Sequence, residues 1–529
     1  MSSYRVVAVS LIVWALAIGF ISCTAKRASQ AEIVAFIDAL EGKLEYVNRR
    51  VEQCRWEYYT TGQSDSLAVF HDAYVRLLTE PGLAGRVKQY LSIAHDDKSR
   101  RKLDLLYRRC LREIVNNDSS VKELAGKLSR LAELSRPAYE GQTYTRHELF
   151  TMIKSEPNRY RRQAIYSAAV SVVDEIVPGL EVLAGLRNRA AVGFGYGSYY
   201  ELMLRTDGII MSDFQDLLED LDNRTAAAYA KTLDSLKRSL KSLDVQIWDI
   251  EFAFRETDVA ADQYFPVDNQ VKLAAATLDT LGFALAGSPI YLGAMASGVG
   301  DTPMIMPVHI PDDIRVPLRA ESGTLSMRHL FFQIGRALYT ANIDRQDFLF
   351  AQPASSCFCE GMTRVIGGLA ETSTWYRKYA GMPDPLVMEL AARDDFFRLF
   401  NLRLALVNLH FERLLYTDPS ANLDHVYAGL FEKYMMFPLE AGLRPWAADA
   451  GFITEPVSIQ NGVLGQCIQA QVWHYLTEKH GTVLDDRQLR KYLYQNLYRS
   501  GSREDWPVII ERATGEELQA RYFLELSTP

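Results

Sequence analysis

The sequence predicts a mainly α-helical protein, and three observations support this prediction. Long segments repeat apolar residues at helical spacing, among them residues 30–59, 387–416 and 461–481. No linker rich in proline, glycine or serine divides residues 30–529, which indicates one large helical unit. Only residues 302–324 differ, because four prolines exclude a single helix there and favour two short strands around a "PDD" turn, or an irregular loop.

The composition is that of an ordinary globular protein. Of the 529 residues, 48% are hydrophobic and 23% are charged, and the net charge is −8. No basic block stands out, so the sequence gives no indication of a nucleic-acid partner. The nine histidines include no HxH or HxxxH pair, so a histidine-built metal site would have to be assembled from distant positions.

The N-terminus indicates export. Arg5 is followed by an uncharged apolar run that ends at Cys23, which is the pattern of a secretory signal. The letters "FISC" resemble the bacterial lipoprotein box, in which the cysteine is lipidated. We therefore expect a signal peptide at 1–22, a tether at 23–30 and a helical domain at 31–529, in a lipoprotein anchored to a membrane of the cell envelope. The alternative is a plain signal peptide or a single membrane anchor with an incidental cysteine.

The other cysteines do not suggest a disulfide framework. They number five, which is odd, and Cys357 and Cys359 form a CxC pair. Such a pair could bind a soft metal, but no second pair lies nearby in the sequence. We expect these two residues to be small, buried and apolar.

A two-faced helix is predicted over residues 325–342, which contain the letters "FQIGR". One face is apolar, and the other carries His329, Phe332, Gln333 and Arg336. Residues 332 and 336 are one turn apart and point the same way. In zinc peptidases with an HExxH motif these two positions hold histidine ligands, and the glutamate after the first is the general base.

The chain resembles the angiotensin-converting-enzyme family of zinc peptidyl dipeptidases, which are gluzincins. "FQIGR" falls where that family has HExxH, and Gly335 matches the family's usual glycine before the second histidine. Glu360, in "FCEGM", falls at the third zinc ligand, 24 residues after Arg336, and "RWEYYTT" at 55–61 resembles an early family segment. The resemblance implies a large two-lobed helical domain with a long central cleft and a very small β-sheet.

The resemblance also implies that the zinc site has degenerated. Phe332 and Arg336 stand in the places of the two histidines; a phenyl ring cannot bind zinc and a guanidinium would repel it. Gln333 stands in the place of the general base and cannot act as one. Glu360 alone remains, as the third ligand.

In this alignment, the residues that carry two further roles in the family are also replaced. Arg364 takes the place of an aspartate that supports the third ligand, and Phe452 and Gly462 take the places of the oxyanion-stabilising histidine and tyrosine. Arg336 and Glu360 would then face each other where the metal would sit, and their pairing, with Arg364 beside them, would act as a structural clamp. The alternative is a solvated Arg336 and a Glu360 on an unrelated helix face.

These observations predict a pseudopeptidase that binds a peptide or a protein partner in a cleft without zinc, and no cofactor is expected. One alternative is an active metallopeptidase whose zinc ligands come from His329, His309, Glu360, or Cys357 and Cys359. A second alternative is a structural protein of the envelope whose cleft has filled with bulky apolar side chains.

Overall fold

The computed structural model describes residues 28–242, 244–300, 303–418, 420–483 and 487–527. The predicted signal peptide and Cys23 lie outside the described residues. Within the described ranges, no helix is both long enough and apolar enough to cross a membrane.

Helices dominate the structure, so the prediction of a mainly α fold is confirmed. In chain order they are α1 (Gln30–Thr61), α2 (Leu67–Leu78), α3 (Leu83–Ile93), α4 (Asp97–Asn116), α5 (Ser119–Leu134), α6 (Arg146–Ser155), α7 (Arg159–Ala169), α8 (Ile176–Val192), α9 (Tyr199–Thr206), α10 (Met211–Leu240), α11 (Ile247–Ala253), α12 (Arg255–Asp262), α13 (Val267–Thr280), α14 (Thr324–Ala341), α15 (Ser356–Gly367), α16 (Ser373–Lys378), α17 (Asp384–Thr417), α18 (Leu423–Met435), α19 (Pro445–Ala448), α20 (Gly451–Thr454), α21 (Ile459–His480), α22 (Gln488–Leu493) and α23 (Trp506–Thr514). Short helical turns of other pitch occur at Gly368–Glu371, Tyr494–Tyr498, Gly501–Arg503 and Ala520–Ser527.

Two small sheets complete the described fold. Strands β1 (Ala138–Tyr139) and β2 (Gln142–Thr143) form a short antiparallel hairpin. In the second sheet, β5 (Asp313–Leu318) lies between β3 (Ile290–Ala294), to which it is parallel, and β4 (Met306–His309), to which it is antiparallel. The strands on either side of the "PDD" turn were predicted, whereas β3 and the hairpin were not.

Side-chain caps determine where important helices begin. α1 starts with a capping box, in which the Ser29 hydroxyl accepts from the Glu32 backbone N–H and the Glu32 carboxylate accepts from the Ser29 N–H. α15 starts after Ser355, whose hydroxyl accepts from the Phe358 N–H at 3.1 Å. Because α15 carries Glu360, this cap also fixes where that carboxylate lies.

Three helices pack with unusually close backbones, and glycines make this possible. α15 lies between α14 and α21. A Cβ at Gly335 of α14 would lie 2.3 Å from the Thr363 carbonyl oxygen of α15, and one at Gly465 of α21 would lie 2.7 Å from Cγ of Glu360. Such contacts are too short for any side chain. Gly335 is therefore required for the packing of α14 against α15.

The described part of the chain is built around one large hydrophobic core and two smaller ones. The large core includes the facing sides of α14, α15, α17 and α21. A smaller cluster joins α1, α3 and α4 to Leu349, which lies in the connection between α14 and α15. The third surrounds α6, α7 and Trp248. The helices that carry the predicted site are therefore set in the main core.

Candidate functional site

A large cleft lies beside the "FQIGR" helix. Its volume is about 1640 Å³, and its lining comes mainly from α12, α14, α17 and α21, with the turn at Gly368–Glu371. A site for one drug-sized ligand has about 300–1,000 Å³, so this cleft has room for a longer molecule. His329, Phe332 and Arg364 belong to the lining.

Glu360 is held between two arginines. Its Oε2 accepts from Nη2 of Arg336 at 3.0 Å, and its Oε1 lies 2.9 Å from Nη2 of Arg364. The Nε of Arg336 also donates to the Thr363 hydroxyl at 3.2 Å. The side chains of Arg336 and Glu360 are 26% and 22% exposed, so the pair is mostly but not fully buried. The cluster carries two positive charges and one negative charge.

Phe332 lies where the first histidine ligand was expected, and it packs instead of coordinating. The Arg364 guanidinium stands 5.3 Å from the centroid of its ring, in cation–π contact. A Cβ at Gly367 would lie 2.5 Å from the Phe332 ring. The space at this position is therefore filled by an aromatic ring and a cation, which do not suit a zinc ion.

Gln333 has a structural role that the sequence did not suggest. Its side chain is buried, and its amide Nε2 donates to the carbonyl oxygens of Pro303 and Pro317 at 3.0 Å and 2.8 Å. An ionised glutamate has no proton to donate and would face two carbonyl oxygens. Gln333, which stands at the place expected for the general base, thus links α14 to Pro317 of β5.

The alternative metal ligands are dispersed. His309 lies 3.6 Å from Glu45 and 3.3 Å from Asp312, outside the cleft lining. The alternative in which it is a zinc ligand in the cleft does not fit this position. His329 lines the cleft, and burial, with Arg319 nearby, lowers its pKa and favours the neutral imidazole.

The paired cysteines are no better placed to bind a metal. Cys357 and Cys359 are buried free thiols whose pKa is raised, chiefly by burial, which keeps the protonated form. Among the described residues, no group of three or more His, Cys, Asp or Glu side chains could hold a metal ion.

The positions expected to stabilise an oxyanion lie elsewhere. Phe452 is buried in the main core, 5.6 Å from the ring of Phe411, and its carbonyl accepts from Arg187 at 2.9 Å. Gly462 is the fourth residue of α21. Neither residue lines the cleft. Aromatic packing places Phe452 in the core, so the structure does not bring these two positions together in the cleft.

A partly buried ion network lines the cleft, and it was not predicted from the sequence. Asp394 of α17 is 2.6 Å from Arg328 of α14, and it accepts from the hydroxyl of Tyr376 at 2.9 Å. Arg393 bridges Asp394, at 3.1 Å, to Asp258 of α12, at 2.5 Å. These residues are far apart in the sequence and form no motif, so only the packing of three helices reveals them.

A histidine between two carboxylates marks the α21 side of the cleft. Nδ1 of His474 is 2.6 Å from Glu525, and its Nε2 is 3.4 Å from Glu478. The imidazole also stacks on Tyr522 at a centroid distance of 4.1 Å. All three ionisable residues of this group line the cleft, and no motif in the sequence pointed to them.

The chain has a mainly α fold that is similar to those of solved metallocarboxypeptidases. No family model and no curated protein matches the chain. Solved structures do match over nearly their whole length. Pyrococcus furiosus carboxypeptidase has a TM-score of 0.67 at 14% identity, covering 94% of this chain and 98% of that one.

Two further solved structures give the same result. The M32 carboxypeptidase of Deinococcus radiodurans R1 has a TM-score of 0.64 at 14% identity and covers 92% of this chain and 97% of that one. Metallocarboxypeptidase 1 of Trypanosoma cruzi has a TM-score of 0.64 at 14% identity, with 94% and 98% covered. At such identities the similarity shows the fold alone.

These matches correct the family assignment. The similar structures are M32 carboxypeptidases, a zinc metallopeptidase family different from the angiotensin-converting-enzyme family. The assignment relied on the 24-residue spacing between positions 336 and 360. That spacing reflects how two packed helices and their connection bring one turn of α14 opposite one turn of α15, so it indicates a local geometry rather than one family.

Proposed function

We propose that this chain is a noncatalytic binding protein that holds a peptide or a protein segment in its cleft. One observation supports this most strongly. The side chains at the metal positions, Phe332 and Arg336, cannot bind zinc, while the adjacent cleft retains a volume of about 1640 Å³. In this proposal the zinc-binding side chains are replaced, whereas the cleft that would hold a ligand is retained.

The similar structures support a polypeptide as the occupant. They are described as carboxypeptidases, enzymes that act on polypeptides. A cleft of about 1640 Å³ suits an extended segment better than a compact small molecule.

The two alternative functions have less support. An active metallopeptidase would need another set of ligands, and the described residues offer no such group. A purely structural role would leave the cleft filled by bulky apolar side chains, whereas charged and polar residues make up much of its lining.

We also propose that the protein is exported and anchored to a membrane of the cell envelope through lipid on Cys23. The support comes from the sequence, in which Arg5, the apolar run and "FISC" follow the order of a lipoprotein signal. A tethered body would present its cleft to molecules outside the cytoplasm.

Three measurements on one preparation test the proposal. After purification in excess zinc and dialysis, we expect well below 0.1 equivalent of zinc per chain by mass spectrometry of metals. We expect no hydrolysis of a mixed peptide library, and retention of some library members on the immobilised protein. About one equivalent of tightly held zinc, lost together with peptide cleavage on chelation, would show that the protein is an enzyme instead.

A further inference from the structure

The charges that line the cleft do not balance. Nine carboxylates stand against six lysine and arginine side chains in the lining. Each of the six cations has a carboxylate partner, with N–O distances between 2.5 Å and 3.3 Å. The arginines of the cleft are therefore committed to carboxylates of the protein itself, and an anionic ligand would have to compete with those carboxylates.

The lining therefore carries an excess of negative charge, because its carboxylates outnumber its lysine and arginine side chains. Asp262 accepts from the Thr324 backbone N–H at 2.7 Å and so caps α14. Burial raises the pKa of Glu371, against the opposing effect of Arg328. Without Glu371, eight carboxylates still outnumber six cations.

The excess negative charge is most exposed to solvent beside α21. The side chains of Glu478 and Glu525 are 70% and 49% exposed, and they approach His474 from opposite ring nitrogens. Two carboxylates thus flank one imidazole in this part of the cleft. This part of the cleft therefore presents negative charge to solvent.

Exposed apolar side chains lie in the same lining. Val259 of α12 is 73% exposed and Leu325 of α14 is 80% exposed. Their helices meet where Asp262 caps the start of α14, one turn beyond Val259. Val259 and Leu325 therefore offer apolar surface to a ligand at this part of the cleft.

We propose that the cleft selects a cationic polypeptide segment that also carries apolar side chains. This inference rests on the proposed function and specifies its ligand. Lysine and arginine fit such a lining well, because their methylene stems cover apolar surface while the charged head reaches carboxylates. The attraction is electrostatic, so it weakens as salt shortens the Debye length from about 10 Å at 0.1 M.

Fluorescence anisotropy with three labelled decapeptides tests this ligand class. One probe combines lysine with leucine, the second replaces every lysine with glutamate, and the third replaces every lysine with serine. We expect the lysine probe to bind at least tenfold more tightly than the glutamate probe at low salt. The difference should shrink several-fold at about 0.5 M salt.

Variants locate the effect in the cleft. E478Q/E525Q should weaken binding of the lysine probe at least threefold and leave binding of the serine probe unchanged. The matched control is D97N/D234N, which removes two exposed carboxylates outside the lining and should leave both affinities unchanged.

The outcomes separate the inference from the proposed function. If the glutamate probe binds as tightly as the lysine probe, or if E478Q/E525Q binds the lysine probe as tightly as the unmodified protein does, the charge preference is wrong although polypeptide binding stands. If none of the three probes binds at millimolar concentration, the proposed function fails and the inference with it.

Discussion

Arg336 and Glu360 form an ion pair at 3.0 Å across the contact of α14 and α15. The zinc-peptidase pattern would place one metal ligand at each of these two positions. Removing one partner leaves the other charge partly desolvated, and for a fully buried pair the loss is roughly 3–5 kcal/mol. Because both side chains are about one quarter exposed, we expect a smaller loss, of about 1–3 kcal/mol, for E360A.

A double-mutant cycle on denaturant unfolding measures their coupling. R336A, E360A and the double variant should show a coupling of at least ~1 kcal/mol, above the ~0.5 kcal/mol scatter of independent sites. R336A combined with D234A serves as the control and should be additive. Additive effects for R336A and E360A would show that the two side chains do not stabilise one another.

Restoring the general base of the peptidase motif should destabilise the protein. Q333E would place a carboxylate against the carbonyl oxygens of Pro303 and Pro317, which now accept from the amide. We expect a loss of about 1–3 kcal/mol at pH 7 from these unmet hydrogen bonds.

The loss should also depend on pH, and its sign follows from the contacts. Burial and two facing carbonyls favour the protonated form of the introduced carboxyl, so its folded pKa lies above its unfolded value of about 4.3. The variant should lose stability relative to the unmodified protein as pH rises from 4 to 7, as followed by urea unfolding. A pH-independent difference would mean that the side chain has turned away from the carbonyls.

Gly335 should tolerate no side chain. G335A would place a Cβ 2.3 Å from the Thr363 carbonyl oxygen, so α14 and α15 would have to separate. We expect a loss of about 1–3 kcal/mol, as for overpacked cores.

Gly429 in α18 provides the matched control, because nothing lies within 4 Å of a Cβ there. G429A should be neutral or stabilising by up to about 1 kcal/mol, through helix propensity. Equal effects of the two alanines on the thermal midpoint would contradict the close packing of α14 on α15.

If lipid on Cys23 anchors the protein, removing this cysteine should move the protein out of the membrane fraction. C23S should move the protein from the membrane pellet to the soluble fraction, because the acyl chains supply the tether. Mass spectrometry of the N-terminal peptide should find a diacylated or triacylated cysteine in the unmodified protein only. C467S, which changes a buried cysteine of α21, is the control and should stay in the pellet. A C23S protein that remains in the pellet with its N-terminus intact would identify the apolar run itself as the anchor.

Periodicity in the sequence indicated α1, because its buried residues lie along one stripe. α21 also repeats apolar residues, but it is buried around most of its circumference between Val463 and Val472. Periodicity could not find β3, whose hydrogen-bonding partner β5 begins 23 residues later and pairs in parallel. Strand pairing over such a separation depends on tertiary contacts that a local pattern does not contain.

The candidate site was predictable only in part. The spacing of positions 336 and 360 located the correct helix pair, because helix geometry fixes which residues face each other. The network of Arg328, Asp394 and Asp258 was not predictable, since its members come from three helices. Single charged residues on amphipathic helices look alike in sequence until packing brings some of them into one cleft.

A buried carboxyl far from any motif should dominate the pH dependence of stability. Glu412 of α17 accepts from the Val457 N–H at 2.7 Å, and its other oxygen has no hydrogen-bond partner among the described residues. Burial raises its pKa to about 7, against the opposing effects of that hydrogen bond and of Arg187. The folded protein therefore binds a proton that the unfolded chain, with a pKa of about 4.3, has lost.

Stability should consequently fall as pH rises through the window from about 4.5 to 7, since the native state must release this proton. E412Q keeps the acceptor for Val457 and removes the titration. In urea unfolding at pH 5 and pH 8, the unmodified protein should lose on the order of 2–3 kcal/mol relative to E412Q across that interval. D97N, which alters an exposed carboxylate, should follow the unmodified protein at both pH values. Parallel stability curves for E412Q and the unmodified protein would show that Glu412 is already ionised in the folded state at pH 5.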